Sequence, residues 1–268
     1  AVLAKRVDVK IAVDSDAGLD QITTAARDAG AVVGVLVEVN VGMLRCGVAA
    51  GAEALALARR VNETAGVRLR GVMGYEGHAV GIEDRADREG RARRAMEKLL
   101  ATAGMLRDAG LPCEIVSAGG TGTYDITGRI EGVTEVQAGS YVLMDTAYAK
   151  LGLPFEQAIT VLGTVLSRPG PAVCVADTGL KSCAQDHGNP AVKDVPGASV
   201  LFLSDEHATI AVPPDCALAP GDRVELWPSH IDPAINLHDV LYAVGASMVE
   251  VWPVAARGYA EQRAALRD

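Results

Sequence analysis

The chain has 268 residues, is 49% hydrophobic but only 4% aromatic, and carries a formal net charge of −9. That is enough apolar chain for one large or two smaller cores, filled by Ala, Val, Leu and Gly. It offers no Lys/Arg cluster as a nucleic-acid footprint, no apolar run near the ~20 residues of a membrane span and no signal-peptide pattern. Neither nucleic acid nor membrane is therefore expected as a partner. Cys46, Cys113, Cys174, Cys183 and Cys216 are odd in number, far apart and without a CxxC pair, which reads as reduced thiols in a cytoplasmic protein.

In chain order, residues 9–13 (VKIAV) are a short apolar run, and residues 17–29 have helical spacing ending at Gly30. Residues 33–39 (VGVLVEV) read as a buried strand, 51–64 as an Ala/Leu-rich helix and 67–74 as the next strand. Residues 85–109 predict a long helix stopped by Gly110 and Pro112; its basic run at 85–98 is interleaved with Asp and Glu and reads as a solvated face. Residues 113–117 and 133–137 are a fourth and a fifth strand. Strands alternating with helices imply βαβ units and a parallel sheet. Strands apolar on both faces fit a barrel or a doubly wound sheet.

After about Lys150 the pattern changes. Residues 158–166, 172–176, 199–203, 207–212, 222–226 and 240–244 are short, strand-like and separated by Gly/Pro-rich turns, an all-β signature. The expected organisation is a partial (β/α) barrel over residues 1–150 and a β domain over 151–268.

Chemistry in a parallel α/β barrel sits at the C-terminal strand ends. There the sequence places residues 14–16 (DSD), 40–47 (NVGMLRCG), 75–78 (YEGH), 117–123 (SAGGTGT) and 137–141 (QAGSY). The glycines and threonines of SAGGTGT let backbone N–H groups converge on an anion such as phosphate. The loop is neither a Walker A nor a GxGxxG, and it also reads as a tight turn. Gly139-Ser140 is a second candidate set of donors. Asp14 and Asp16 read as a turn and a helix cap, Lys181 beside Asp177 as a structural ion pair, Cys46 as a small packed residue, and His187 and His238 as surface residues.

Residues 227–237 (WPSHIDPAINL) carry the most specific signal. On an extended backbone His230 and Asp232 would point the same way, so an imidazole and a carboxylate could meet one cation. That donor pair suits Zn²⁺ or Mn²⁺. Two protein ligands leave positions for water or substrate, as in a catalytic metal site.

Together these motifs resemble alanine-racemase-like, fold-type III pyridoxal-phosphate enzymes. Residues 40–47 resemble that family's Gly-x-x-Arg-x-Gly turn, 71–78 the following strand end, SAGGTGT its phosphate loop, and 136–145 (VQAGSYVLMD) the next strand and turn. Asp177-Thr-Gly-Leu-Lys181 with Asp186, Ser204-Asp-Glu-His207, PSHIDPAINL and residues 255–258 resemble the C-terminal domain of the D-threonine aldolase and D-serine dehydratase branch. The resemblance spans nearly the whole chain. It implies a partial alanine-racemase-type barrel followed by an all-β domain.

The resemblance also implies roles. Arg45 would hydrogen-bond the phenolic oxygen of pyridoxal 5′-phosphate, and Gln137 would lie near its pyridine nitrogen. Gly120, Thr121, Gly139 and Ser140 would bind phosphate. His230 and Asp232 would bind a divalent metal, Mn²⁺ or Zn²⁺ with Mg²⁺ as a third option. Tyr75 would lie against the cofactor or cap the barrel rim. His78 would contact the cofactor, act as base on the substrate hydroxyl, or be a turn histidine. In this branch aldolases resemble HxD and dehydratases HxC, so an aldolase acting on a D-amino acid is expected, with a dehydratase or an inactive cofactor-binding chain as alternatives. A homodimer is implied.

Two departures accompany the resemblance. Residues 75–81 lack a histidine at the position where many such aldolases carry one a few residues after the tyrosine; here a histidine sits earlier, at His78. The Schiff-base lysine of the family lies on its first barrel strand, and the context of Lys10 does not match it. The chain opens at Ala1 with five barrel-type strands against the family's eight. The expectation is an upstream segment of about 90 residues, three βα units, carrying that lysine.

Overall fold

The computed structural model describes residues 1–257. The chain forms two compact units, Ala1–Gly139 and Ser140–Asp268; the boundary expected after residue 150 lies beyond this division. The Gly258 end of the 255–258 motif lies outside the described residues.

Unit 1 runs β1 (Lys10–Val13), α1 (Asp16–Ala29), β2 (Val33–Asn40), β3 (Val48–Ala49), α2 (Ala52–Glu63), β4 (Val67–Met73), α3 (Arg85–Asp108), β5 (Ile115–Ala118), α4 (Tyr124–Thr127) and β6 (Glu135–Val136). The sheet order is β1-β2-β4-β5-β6, every neighbour parallel, with the two-residue β3 beside β2. Strand order that follows chain order is a sector of a barrel; a doubly wound sheet would reverse at a switch point. All five predicted strands are present, with the last shortened to two residues.

The helices begin and end for local reasons. Ser15 caps α1 by accepting the Gly18 N–H at 3.2 Å, and Gly30 closes it in the left-handed region at φ +58°. The cap is therefore Ser15, with Asp16 inside the first turn. Asp84 caps α3 through the Asp87 N–H at 2.7 Å. Helix α3 is less solvated than its charge suggests: Arg88, Ala92, Ala95, Met96, Leu99, Thr102, Ala103 and Leu106 are buried. Arg88 Nη1 donates to the carbonyls of Ile82 and Glu83, which explains a guanidinium inside the fold.

Val35, Val37, Val39, Leu69, Val72 and Val116 of the strands pack with Leu57, Val61, Met96, Leu99 and Leu106 of the helices. No aromatic residue belongs to this core. Each fully buried Val or Leu contributes about 1.5–3 kcal/mol.

Unit 2 contains α5 (Thr146–Ala149), β7 (Val161–Gly170), β8 (Val173–Ala176), β9 (Ala191–Val192), β10 (Ser199–Leu203), β11 (Ala208–Ala211), β12 (Arg223–Trp227), α6 (Ile231–Asn236), β13 (Val240–Val244) and β14 (Val249–Pro253). Its main sheet is antiparallel in the order β10-β11-β8-β7-β12-β9, and β13 and β14 form a separate hairpin. Val165, Cys174, Val200, Ile210, Val224 and Leu226 centre the core. Burial pushes the Cys183 thiol up to about 12, so it is a packed apolar group. Lys193 Nζ lies 5.4 Å from the centre of the Trp227 ring.

Lys181 pairs with Glu206 and not with Asp177. Asp177 instead accepts the Thr164 N–H at 2.6 Å.

Candidate active site

Beyond β2 the chain turns sharply. Asn40 Oδ1 accepts the N–H groups of Gly42 at 3.0 Å and Leu44 at 3.3 Å. Gly47 sits at φ +102°, and a Cβ there would lie 2.5 Å from Asn40 N. Its N–H donates to Asp14 Oδ2 at 3.1 Å, tying the turn to the end of β1. This frame presents Arg45 at the surface with its guanidinium 5.4 Å from the centre of the Tyr75 ring. Glu38, also at this strand end, has its carboxyl pKa raised by burial, with the Arg45 charge opposing.

Tyr75 and His78 follow β4. Burial lowers the His78 pKa below its ordinary 6.5, only partly offset by the charge of Glu76. The ring is therefore neutral at pH 7. Its Nδ1 is buried without a hydrogen-bond partner. The ring packs on Gly42, where an added Cβ would come within 3.0 Å of Nε2.

The 117–123 loop follows β5 and is buried throughout. Gly119 N–H donates to Glu76 Oε2 at 2.9 Å and Gly120 N–H to Thr123 Oγ1 at 3.3 Å, so the first amide is held from outside the loop and the second within it. Ser117 lies opposite Glu135 and Ala118 opposite Val136, which makes the ends of β5 and β6 neighbours. Gln137 Nε2 donates to Ser117 Oγ at 2.7 Å. Gly139 is exposed, with open space where a Cβ would point. Ser140 opens unit 2, and its hydroxyl donates to Asp232 Oδ2 at 3.3 Å. Sequence reasoning passed over Glu76, whose one signal is an acid three residues beyond the end of β4.

The HxD segment is not extended. His230 has extended dihedrals but is the N-cap of α6, and Asp232 lies in that helix's first turn. Pro233 explains this: its fixed φ and missing N–H suit the first turn of a helix. The two side chains still converge, with His230 Nε2 and Asp232 Oδ2 3.3 Å apart. Two neighbouring ligands about 2.1 Å from one ion stand about 3.0–3.4 Å apart, so the pair fits a single Zn²⁺ or Mn²⁺. The side chain of Asp232 is 67% exposed, which leaves room for water or substrate.

Two neighbours were not foreseen as partners. Asp186 Oδ2 contacts His230 Nδ1. Burial alone would raise the Asp186 pKa, but the hydrogen bond and charge of His230 prevail and lower it. A carboxylate on the second ring nitrogen fixes tautomer and orientation, as metal-ligating histidines require. His187 stacks on His230 with centroids 3.9 Å apart and planes 9° apart. Asp186, His187 and His230 present donor atoms within 4.8 Å of one another. Nearly parallel rings direct their lone pairs into separate planes, so His187 covers the face of His230 and is not placed to share one ion with it.

Residues 1–165 match the alanine racemase N-terminal domain family, and residues 158–244 match a serine dehydratase domain. A D-threonine aldolase of an Arthrobacter species is 38% identical over 264 residues, covering 96% of this chain and 69% of that protein. This chain belongs to the alanine-racemase-like family, on its D-threonine aldolase branch. A 3-hydroxy-D-aspartate aldolase of Paracoccus denitrificans is 31% identical, covering 93% of this chain and 67% of that protein. Among solved structures, a D-threonine aldolase from Filomicrobium marinum superposes with a TM-score of 0.91 at 37% identity, covering 96% of this chain and 71% of that one. A metal-free cysteine-to-alanine mutant of a D-threo-3-hydroxyaspartate dehydratase gives 0.84 at 27% identity, covering 95% and 74%. The family implies pyridoxal phosphate. The unpaired buried Nδ1 of His78 and the glycine-lined loop at Gly120, where a Cβ would come within 3.2 Å of the Tyr75 ring, fit such a guest.

Proposed function

We propose that the protein is a pyridoxal-phosphate- and divalent-metal-dependent lyase that cleaves a D-β-hydroxy-α-amino acid to glycine and an aldehyde. The observation that carries this reading is the 3.3 Å approach of His230 Nε2 to Asp232 Oδ2, with Asp186 on the other ring nitrogen. The kinship with D-threonine aldolase and 3-hydroxy-D-aspartate aldolase supports the same activity.

His230 and Asp232 would hold the ion, and Arg45, Gly120, Thr121, Gln137, Gly139 and Ser140 would hold the cofactor. When bound, the cofactor supplies an electron sink and the ion supplies Lewis acidity toward the substrate hydroxyl. Within the chain, Asp186 keeps the His230 ring turned so that Nε2 faces Asp232. His78, neutral at pH 7, accepts the proton of the substrate hydroxyl. Tyr75 holds the Arg45 guanidinium against its ring face and limits how far that side chain swings. Loss of the hydroxyl proton with scission of the Cα–Cβ bond releases the aldehyde, and a proton delivered to Cα completes glycine.

The dehydratase reading keeps the same residues and instead releases ammonia and a keto acid; the likeness to D-threo-3-hydroxyaspartate dehydratase keeps it in view. Incubating the protein with pyridoxal 5′-phosphate, Mn²⁺ and D-threonine separates the two. Glycine and acetaldehyde in equal amounts support the aldolase; ammonia with 2-oxobutanoate overturns it. We also read the protein as a cytoplasmic homodimer. Its five cysteines are free, and Tyr242, Val244, Val249 and Val251 leave an exposed apolar face on the β13–β14 hairpin. Sedimentation at monomer mass would overturn the dimer.

A further inference from the structure

We propose that Glu76 is the positioning residue that sets the anion-binding shape of the 117–123 loop, an inference that rests on the cofactor reading above. Glu76 is fully buried, yet it forms no ion pair with a lysine or arginine among the described residues. Burying a carboxyl is costly unless its oxygens are satisfied by hydrogen bonds. Here all the donors belong to the loop and the short helix after it. Oε2 accepts the Gly119 N–H at 2.9 Å. Oε1 accepts the hydroxyls of Thr123 at 2.8 Å and Thr127. Thr123 Oγ1 in turn accepts the Gly120 N–H at 3.3 Å, which extends the chain of bonds one residue further along the loop.

The loop's own backbone is intrinsically permissive. Three of its seven residues are glycine, and glycine confers the greatest backbone freedom. Gly119 sits at φ +80°, a conformation that side-chain-bearing residues resist. Gly122 lies so close behind the chain that a Cβ would be 1.7 Å from the Val80 carbonyl oxygen. The segment that carries Tyr75 and His78 therefore grips the loop twice, through Glu76 and through the close passage of Val80. By taking the first amide and two hydroxyls for itself, Glu76 fixes which way the later amides face. An anion then meets a rigid set of donors and need not order a flexible one.

The test compares pyridoxal 5′-phosphate with pyridoxal, which lacks the phosphate, in titrations of the full chain, with inorganic phosphate as competitor. Wild type should prefer the phosphorylated ligand. Glu76→Leu removes both acceptors at similar volume and should reduce that preference about tenfold, with pyridoxal affinity little changed. Glu76→Gln, which retains one acceptor, should lose less, and Thr127→Val, which removes one donor, should fall between that variant and wild type. Circular dichroism identifies folded variants; should Glu76→Leu not fold, the Gln and Val variants carry the same comparison. An unchanged preference in folded variants overturns the inference. So does tighter phosphate binding in Glu76→Gln, which would mean that the carboxylate acts on the anion by charge repulsion. If wild type itself shows no preference and no phosphate competition, the phosphate-cup reading fails, and the inference with it.

Discussion

The Ile231 amide donates to Asp145 Oδ2 at 3.0 Å, so a side chain from the start of unit 2 fixes the first turn of the helix that carries Asp232. Oδ1 of the same residue accepts the Tyr148 N–H at 2.8 Å and caps α5. One fully buried carboxylate thus closes two helices. Beside it the Thr146 amide donates to the Pro228 carbonyl at 3.0 Å. Asp145→Ala would remove the acceptor of the buried Ile231 amide, at about 1–3 kcal/mol, and the cap of the half-buried Tyr148 amide. The expected result is a loss of about 2–4 kcal/mol in urea unfolding, with weakened Mn²⁺ retention measured by elemental analysis. Retention at the wild-type level in folded Asp145→Asn would show that the metal pair needs no support from this residue.

Asp232→Ala should lose bound divalent metal and most glycine formation, while stability changes little because the side chain is largely exposed. Asp232→Cys should keep a metal ligand but change its softness. The ratio of glycine to ammonia produced by that variant reads whether ligand type biases cleavage against dehydration.

Asp186→Asn keeps the size of the side chain but removes the charge on His230 Nδ1. Outer partners of ligating histidines are typically worth about 10–100-fold in affinity. A Mn²⁺ titration should show a drop of that order. An unchanged constant would mean that His230 is oriented by its stacking on His187 alone.

His78 has its folded pKa below the ordinary 6.5 because burial penalises the charged ring. The unfolded chain therefore binds the proton first as pH falls. The contribution is fully present above 6.5 and is lost as pH falls through the lower folded value. Melting curves across this window should show wild type losing stability relative to His78→Phe. Parallel pH profiles of the two proteins would place His78 in a more solvated setting.

Much of this was legible in sequence because its signals are local. The run at β2 is buried almost throughout, and the regular alternation of strands with helices specifies a parallel sheet, although β4 carries Arg68 and Arg70 on one side. The HxD pair was found from spacing, although the conformation assigned to it was wrong: Pro233 favours the first turn of a helix over an extended strand. Lys181 was given the nearest acid in sequence, whereas its partner Glu206 lies 25 residues away. Asp186 reaches His230 across 44 residues and Glu76 reaches Thr127 across 51, and no periodicity encodes such pairings. The α5 and α6 helices, four and six residues long, are too short for a hydrophobic period.

The aromatic poverty of unit 1 has an optical consequence. Both tryptophans of the chain, Trp227 and Trp252, lie in β12 and β14, whereas the first core is built from aliphatic side chains. Indole emission therefore reports on unit 2 alone, and the melting of unit 1 is dark in that channel. Trp227 stands three residues before His230, which places a native fluorophore beside the HxD segment. Emission and far-ultraviolet dichroism followed in one denaturation would reveal whether the two units unfold together: coincident curves mean a single cooperative transition, and separated curves mean two.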